Sequence, residues 1–325
     1  MAGSRLEGMR AILVLLATVC LFGQSQSLTP AADFDLNAGL KHGVSRHARS
    51  FLGATPNGLT SVTIGEHTSL VSADRNGHIL HTTPDLISMG TQIYRALPLP
   101  DGNVWIVAVG PYPIFPDGCC FGWPDTRASI SRGPTTTPNY NQLDLYRADG
   151  KHLSAVRLPV VQPAPPDLPI AAAGDMVVVL GWLGAGTPQT EVIRFETVAN
   201  GIPRESKIVQ LDIPFRRTVP ALAANRKLFL IDKVSGSMLA IDSQSGSRQF
   251  FRPAHTRPVQ AAAADSDFLY LLSSNEVLKT DSTGTILATH RLRLGRGFRP
   301  ATLGVTGGDL YLMDNTGRVE EFRIQ

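Results

Sequence analysis

Lys227-Leu-Phe-Leu-Ile-Asp232, Asp267-Phe-Leu-Tyr-Leu-Leu272 and Asp309-Leu-Tyr-Leu-Met-Asp314 are three versions of one apolar segment, their aromatics Phe229, Tyr270 and Tyr311 spaced 41 residues apart. Each is followed by a turn and a second strand-like run: Met238-Leu-Ala-Ile-Asp242, Glu276-Val-Leu-Lys-Thr-Asp281 and Arg318-Val-Glu-Glu-Phe-Arg323. The first two continue through Ser245-Gly246 and Thr283-Gly284 into Arg248-Gln-Phe-Phe251 and Ile286-Leu-Ala-Thr-His290. Small residues precede each unit: Pro220-Ala-Leu-Ala-Ala224, Val259-Gln-Ala-Ala-Ala-Ala264 and Ala301-Thr-Leu-Gly-Val305.

Four short strands every ~40 residues is the period of a β-propeller blade. Small side chains suit the innermost strand, where blades crowd the axis, and β-branched and aromatic residues suit the next. No sustained helical period occurs outside the extreme N-terminus, so helices should be few. Weaker copies run upstream. Asp175–Leu180, Glu191–Phe195 and Lys207–Leu211 form one blade, and Asn103–Ala108, Leu143–Tyr146 and Leu153–Arg157 another. Ser69–Ala73 with Gly77–His81 begins the first. The expected fold is all-β, a six-bladed propeller of four-stranded antiparallel blades. Seven is the alternative count, because the first hundred residues are the least regular. The last blade ends a strand short at Gln325, and residues 28–61 are expected to supply the closing strand to a propeller domain over 62–325. Closure removes edges that invite aggregation.

Residues 1–27 read as a secretory signal: Arg5 and Arg10, then the apolar stretch Ala11–Gly23, then Gln24-Ser-Gln-Ser27. The apolar stretch is short of the ~20 residues a spanning helix needs, though an uncleaved anchor is the alternative. Cleavage would remove Arg5, Arg10 and Glu7, lowering the formal charge of +3 by one. The mature chain is expected in the periplasm or secreted, with no membrane span, as a monomer. Cys119 and Cys120 then remain alone, and an oxidising compartment favours their pairing. Adjacent Cα atoms lie ~3.8 Å apart, below the usual disulfide range, so a vicinal bond would be a strained ring. Free or intermolecular thiols are the alternative.

Leu99-Pro-Asp-Gly-Asn-Val-Trp105 resembles the Pro-Asp-Gly-Asn-Leu-Trp blade motif of NHL-type and streptogramin-lyase-like propellers, and the blades generally resemble the six-bladed superfamily. The motif occurs once, so the resemblance implies architecture rather than activity. Lyase and lactonase propellers place His or carboxylate ligands at the channel mouth, and no such position is matched here one for one.

Loops joining the second to the third strand, and one blade to the next, share one propeller face, which by analogy with the fold carries function. Arg217, Arg257 and Arg299 lie 12, 13 and 12 residues before their aromatic anchors, with Arg95 as a looser fourth. Guanidiniums around a channel mouth would focus positive potential for a carboxylate or phosphate. The plainer reading is that each pairs with a neighbouring blade and staples the ring. The long insertion 110–142 holds Trp123, the cysteine pair and other aromatics, and is expected to form a lid or a cap over a blade end. Trp182 would join from the Gly181–Gly186 segment of the adjacent blade.

Catalytic signatures are missing. His78 and His81, three apart on a strand, point to opposite faces and make a poor metal pair. No His-Glu-x-x-His, Gly-x-Ser-x-Gly or phosphate-loop pattern occurs, and no cofactor or metal ligand set is indicated. With 43% hydrophobic residues the chain can bury a core, and its small net charge makes no case for nucleic acid. The leading expectation is a non-catalytic exported propeller that binds an anionic small molecule or another exported protein. A metal-dependent lyase or hydrolase working in the channel, and a scaffold component of an envelope complex, are the competing classes.

Overall fold

The computed structural model describes residues 25–38, 40, 48–64, 68–84, 86, 92–99, 102–110, 140–157, 170–173, 176–183, 190–199, 202–211, 218–223, 225–251, 258–265 and 267–324. Strands β1 (Ser25–Leu28) and β2 (Ala32–Asp35) come first. A first sheet follows from β3 (Arg49–Thr55), β4 (Gly58–Ile64), β5 (Thr68–Ala73) and β6 (Ile79–Thr83). The second contains β7 (Gln92–Pro98), β8 (Val104–Gly110), β9 (Tyr140–Tyr146) and β10 (His152–Arg157). The third contains β11 (Ile170–Ala173), β12 (Met176–Leu183), β13 (Thr190–Ala199) and β14 (Ile202–Leu211). The fourth contains β15 (Thr218–Leu222), β16 (Lys227–Asp232), β17 (Met238–Asp242) and β18 (Arg248–Phe251). The fifth is built from β19 (Ala261–Ala264), β20 (Phe268–Ser273), β21 (Glu276–Asp281) and β22 (Ile286–Leu292). The sixth comprises β23 (Pro300–Thr306), β24 (Asp309–Asp314) and β25 (Arg318–Arg323), with β2 as its outer strand.

Five sheets are the four-stranded antiparallel blades that the repeat predicts. The fifth departs from it, because β1 adds in parallel to the outer edge of β22, with Leu28 beside Leu292. Innermost strands β3, β7, β11, β15, β19 and β23 each neighbour the next, and β23 neighbours β3. The chain is an all-β propeller. No helix occurs among the described residues, and none there could cross a membrane. The domain limit drawn at residue 62 falls inside β4, since β3 and β4 belong to the first sheet. Alternation is weak there because β4 is buried along its whole length, which hides the period of two.

The register explains the 41-residue spacing. Phe229 pairs across with Ala221, Tyr270 with Ala263 and Tyr311 with Gly304. Each large ring thus stands on the second strand opposite a small residue on the innermost one, and all three rings are at most 2% exposed. Each ring packs in the apolar layer between its own sheet and the next: Phe229 with Leu269 and Leu278, Tyr270 with Leu310 and Leu312, Tyr311 with Leu52 and Leu59. Fully burying such side chains is worth ~1.5–3 kcal/mol each, so these layers are the main attraction between sheets.

Hairpin turns repeat as well. Asp232, Asp242, Asp281 and Asp314 each accept a backbone N–H and a Ser or Thr hydroxyl two or three residues on, at 2.6–2.9 Å. Such Asx turns reverse the chain locally. Those hydrogen bonds hold the Asp242 and Asp281 carboxyls below their ordinary pKa. At the seam between first and sixth sheets, Asn37 donates to the carbonyl of Thr316 at 2.7 Å, and Ser50 to that of Asn315 at 3.1 Å. The hydroxyl of Thr63 links the two side chains.

One buried group works against stability. His290 on β22 is buried, and neither ring nitrogen has a hydrogen-bond partner among the described residues. Burial, with the charge of Lys279 adding to it, pulls its pKa below 6.5. The folded protein keeps His290 neutral while the unfolded chain takes up a proton, so stability held above pH 6.5 is lost as pH falls below it. His290→Leu is expected to add about 1 kcal/mol at pH 7, because a buried polar group without partners is removed. It should also flatten the decline between pH 7 and 5 in urea titrations. An unchanged slope would assign that decline to other groups.

Candidate functional site

In this antiparallel order, the connections between second and third strands leave at the same end as those from one sheet to the next. Arg217, Arg257, Trp123, Cys119 and Cys120 belong to such connections and lie outside the described residues. Arg95 is not in a connection. It lies within β7, paired with Val107, because that inner strand begins at Gln92. Trp182 likewise lies within β12, opposite Glu191, rather than in a loop. The insertion is shorter than read from sequence. Gly110 pairs with Tyr140 in the β8–β9 ladder, leaving 111–139 as the connection, outside the described residues. Arg299 is where the repeat predicts, exposed just ahead of β23. Among the predicted arginines, only Arg299 has a described side chain.

What stands beside Arg299 is a buttressed turn. The β22–β23 connection starts as the backbone N–H of Arg293 donates to the carbonyl of Leu28 at 2.9 Å, and its Nε to Ser27 Oγ at 3.1 Å. The chain then reverses at Gly295–Phe298, where the N–H of Phe298 donates to the carbonyl of Gly295 at 3.1 Å. Gly297 takes the positive-φ third position of this turn at 77°, which L side chains rarely adopt. Leu292 and Phe298 bury their side chains in the layer between the fifth and sixth sheets. Apolar burial therefore pins both ends, and Arg296 and Arg299 are left exposed.

Beneath the turn sits an ion cluster. The Glu320 carboxylate, 1% exposed, accepts the N–H of Gly295 at 2.9 Å and faces Arg318 Nη2 at 3.3 Å. Arg318 also donates twice to Asp33 of β2, at 2.9 and 2.5 Å, and to the carbonyl of Arg296 at 3.5 Å. Its guanidinium carbon lies 5.5 Å from the centre of the Phe298 ring. Burial raises the Glu320 pKa, and the Arg318 hydrogen bonds lower that of Asp33. Arg318 is thus neutralised by two carboxylates, and Arg291 faces Glu276 at 3.6 Å. Arg296 and Arg299 have no ion pair among the described residues. Arg293, Arg296, Arg318, Glu320 and Asp33 are absent from the sequence-derived set. The run Arg291-Leu-Arg-Leu-Gly-Arg-Gly-Phe-Arg299, with four arginines in nine residues, was the available signal.

Among the described residues, Lys207, Lys227 and Arg75 staple one sheet to the next at the opposite end. Lys207 donates to the carbonyls of Ser243 and Gln244, and Lys227 to that of Ser282 at 3.1 Å. Arg75 pairs with Asp309 and donates to the hydroxyl of Tyr311 at 3.4 Å. Lys227 and Asp309 occupy the same position of the repeat with opposite charge, so the direction of the bridge reverses while the bridge persists. A polar pocket of about 350 Å³ lies on this side, lined by Asn225, Lys227, Asp242 and Arg248 among others. Its two cations already donate to carbonyls, Lys227 to Ser282 and Arg248 to Gln210. His78 pairs with Asp74, and His81 with the carbonyl of Asp149. No group of His, Cys, Asp and Glu among the described residues is arranged to hold a metal.

No protein-family model matches this sequence, and no curated protein is similar to it. Solved structures share its fold. A virginiamycin B lyase from Staphylococcus aureus superposes with a TM-score of 0.52 at 12% identity, covering 90% of this chain and 98% of the lyase. A streptogramin B lyase gives 0.51 at 11% identity over 90% of this chain and 87% of its own. The Pan2 WD40 domain of Neurospora crassa gives 0.51 at 10% identity over 94% and 98%. At such identities the likeness is one of fold, and activity does not travel with it.

Proposed function

We propose that the protein is an exported, non-catalytic propeller that binds another exported protein at the arginine-bearing end, holding an anionic part of it. In this reading residues 1–27 direct export, their cleavage taking Ser25–Ser27 of β1 from the edge of β22, and β2 closes a ring of six blades, the five-stranded sheet counting as one. The observation that carries the reading is the exposure, without ion pairs among the described residues, of Arg296 and Arg299 on a connection at that end. Exposed guanidiniums on a rigid frame keep their attraction for a partner's carboxylates because no carboxylate among the described residues satisfies them. The insertion 111–139, which leaves at the same end, would cover the partner. The repeat supports Arg217 and Arg257 as further contributors, since they precede their inner strands as Arg299 does.

The test is affinity capture from an envelope extract at low and moderate salt, comparing the unaltered protein with an Arg257→Ala, Arg299→Ala double variant. Specific capture is expected to weaken at least tenfold in the variant and to fall with salt. Undiminished capture by a normally folded variant would reject the reading. Stoichiometric Ca, Mg or Zn in the purified protein would move it toward the catalytic class.

A further inference from the structure

Resting on that reading, we infer that the Gly295–Arg299 turn is the recognition element itself, and that it takes an acidic, extended peptide segment of the partner. Four observations converge. The turn is held from below at three points: Glu320 accepts its first N–H, Arg318 reaches its Arg296 carbonyl, and Phe298 anchors it in the apolar layer. Its two outward arginines are exposed, three residues apart, and without an ion pair among the described residues. Arg318, which reaches the turn from below, is satisfied by Asp33 and Glu320 and adds no free charge. Arg293, also exposed, adds a third guanidinium, which donates to the neutral hydroxyl of Ser27 and has no ion pair among the described residues.

The shape of the site selects the ligand. A small anion is held tightly where several donors converge on one concave point, and here the arginines are exposed on a turn and at the residue that follows it. Arginines spaced along an exposed ridge are instead matched by carboxylates spaced along an extended chain, each contact weak and the sum useful. Because the frame is already rigid, little ordering of the protein is needed on binding. Glu320 and Arg318 are then positioning residues that touch the turn and not the ligand. Their pair fixes the backbone from which the arginines extend.

The experiment uses the full chain and a fluorescein-labelled decapeptide of alternating Glu and Ser, with the Gln-for-Glu peptide as control. Anisotropy at low salt is expected to show binding of the acidic peptide, at least tenfold weaker for the Gln peptide, and weakening steadily with added NaCl. Arg296→Gln with Arg299→Gln should lower the affinity at least tenfold, while Arg217→Gln with Arg257→Gln changes it less than threefold. Both arginines are exposed and without an ion pair among the described residues, so equal thermal melts are expected and serve as the folding check. Equal binding by the Arg296, Arg299 variant with loss in the Arg217, Arg257 variant would overturn the turn assignment and leave the proposed function standing. So would failure of the acidic peptide to bind while envelope capture still depends on Arg257 and Arg299. Displacement of the peptide by equimolar inorganic phosphate would overturn the peptide as ligand in favour of a small anion.

Discussion

Replacing Arg318 with alanine is expected to destabilise the protein by about 2 kcal/mol, placed below the cost of breaking a fully buried ion pair because the arginine is half-buried. Arg318 joins three parts of the chain: Asp33 on β2, Glu320 on its own strand and the Gly295–Phe298 turn. Without it, Glu320 keeps one N–H as partner for a carboxylate that is almost wholly buried. The penalty has a pH signature. Burial raises the Glu320 pKa, so its ionised form costs stability as pH rises through that value and the cost recedes on acidification. Urea unfolding at pH 8 and pH 5 should show the larger loss at pH 8. Adding Glu320→Gln to Arg318→Ala should recover about half of it, because the amide oxygen still accepts the N–H of Gly295 and needs no counter-charge. A double variant no more stable than Arg318→Ala alone would show that the loss comes from Asp33 and β2 instead.

Gly53→Val is expected to cost about 3 kcal/mol, at the upper end for overpacking, because the clash is with a neighbouring inner strand. A Cβ at Gly53 would lie 2.4 Å from Pro98 Cβ and 3.1 Å from the Pro98 carbonyl group, and neither the ring of proline nor the β7 backbone can step aside. The first and second sheets would have to separate at the axis, where β3 and β7 are neighbours. Thermal or urea unfolding measures the effect, with Leu80→Ser as the comparison. Leu80 is 68% exposed on β6 and should change stability by no more than about 0.5 kcal/mol. Comparable losses for both substitutions would contradict the tight inner ring.

The C-terminal half of the fold was readable because its pattern is redundant. Phe229, Tyr270 and Tyr311 recur with small residues ahead of them, and the register shows why: each ring needs a small partner across the ladder. The first sheet lacks that signal. Thr60 stands where the others carry a ring, opposite Gly53, and β4 is buried on both faces, so neither spacing nor alternation marks it. Strand ends were also misjudged where strands outrun their turn residues, which moved Arg95 into β7 and Trp182 into β12. The polar strand β1, Ser25-Gln-Ser-Leu28, has no strand-like pattern and pairs only because β22 offers an open edge.

The amino-acid sequence by itself determined the β-propeller, because side-chain size repeated at a fixed interval decides which residues can share an inter-sheet layer. It also marked Arg299 at the junction of two sheets. Only the tertiary structure decided which arginines are spoken for. Arg291, Arg296, Arg299 and Arg318 look alike in the chain, yet Arg291 faces Glu276 and Arg318 is held by Asp33, 285 residues away, and by Glu320. Arg296 and Arg299 have no ion pair among the described residues, although the turn that bears them rests on that same cluster. Charge pairing depends on distance in space, and a repeat in sequence does not contain that distance until the sheets have packed.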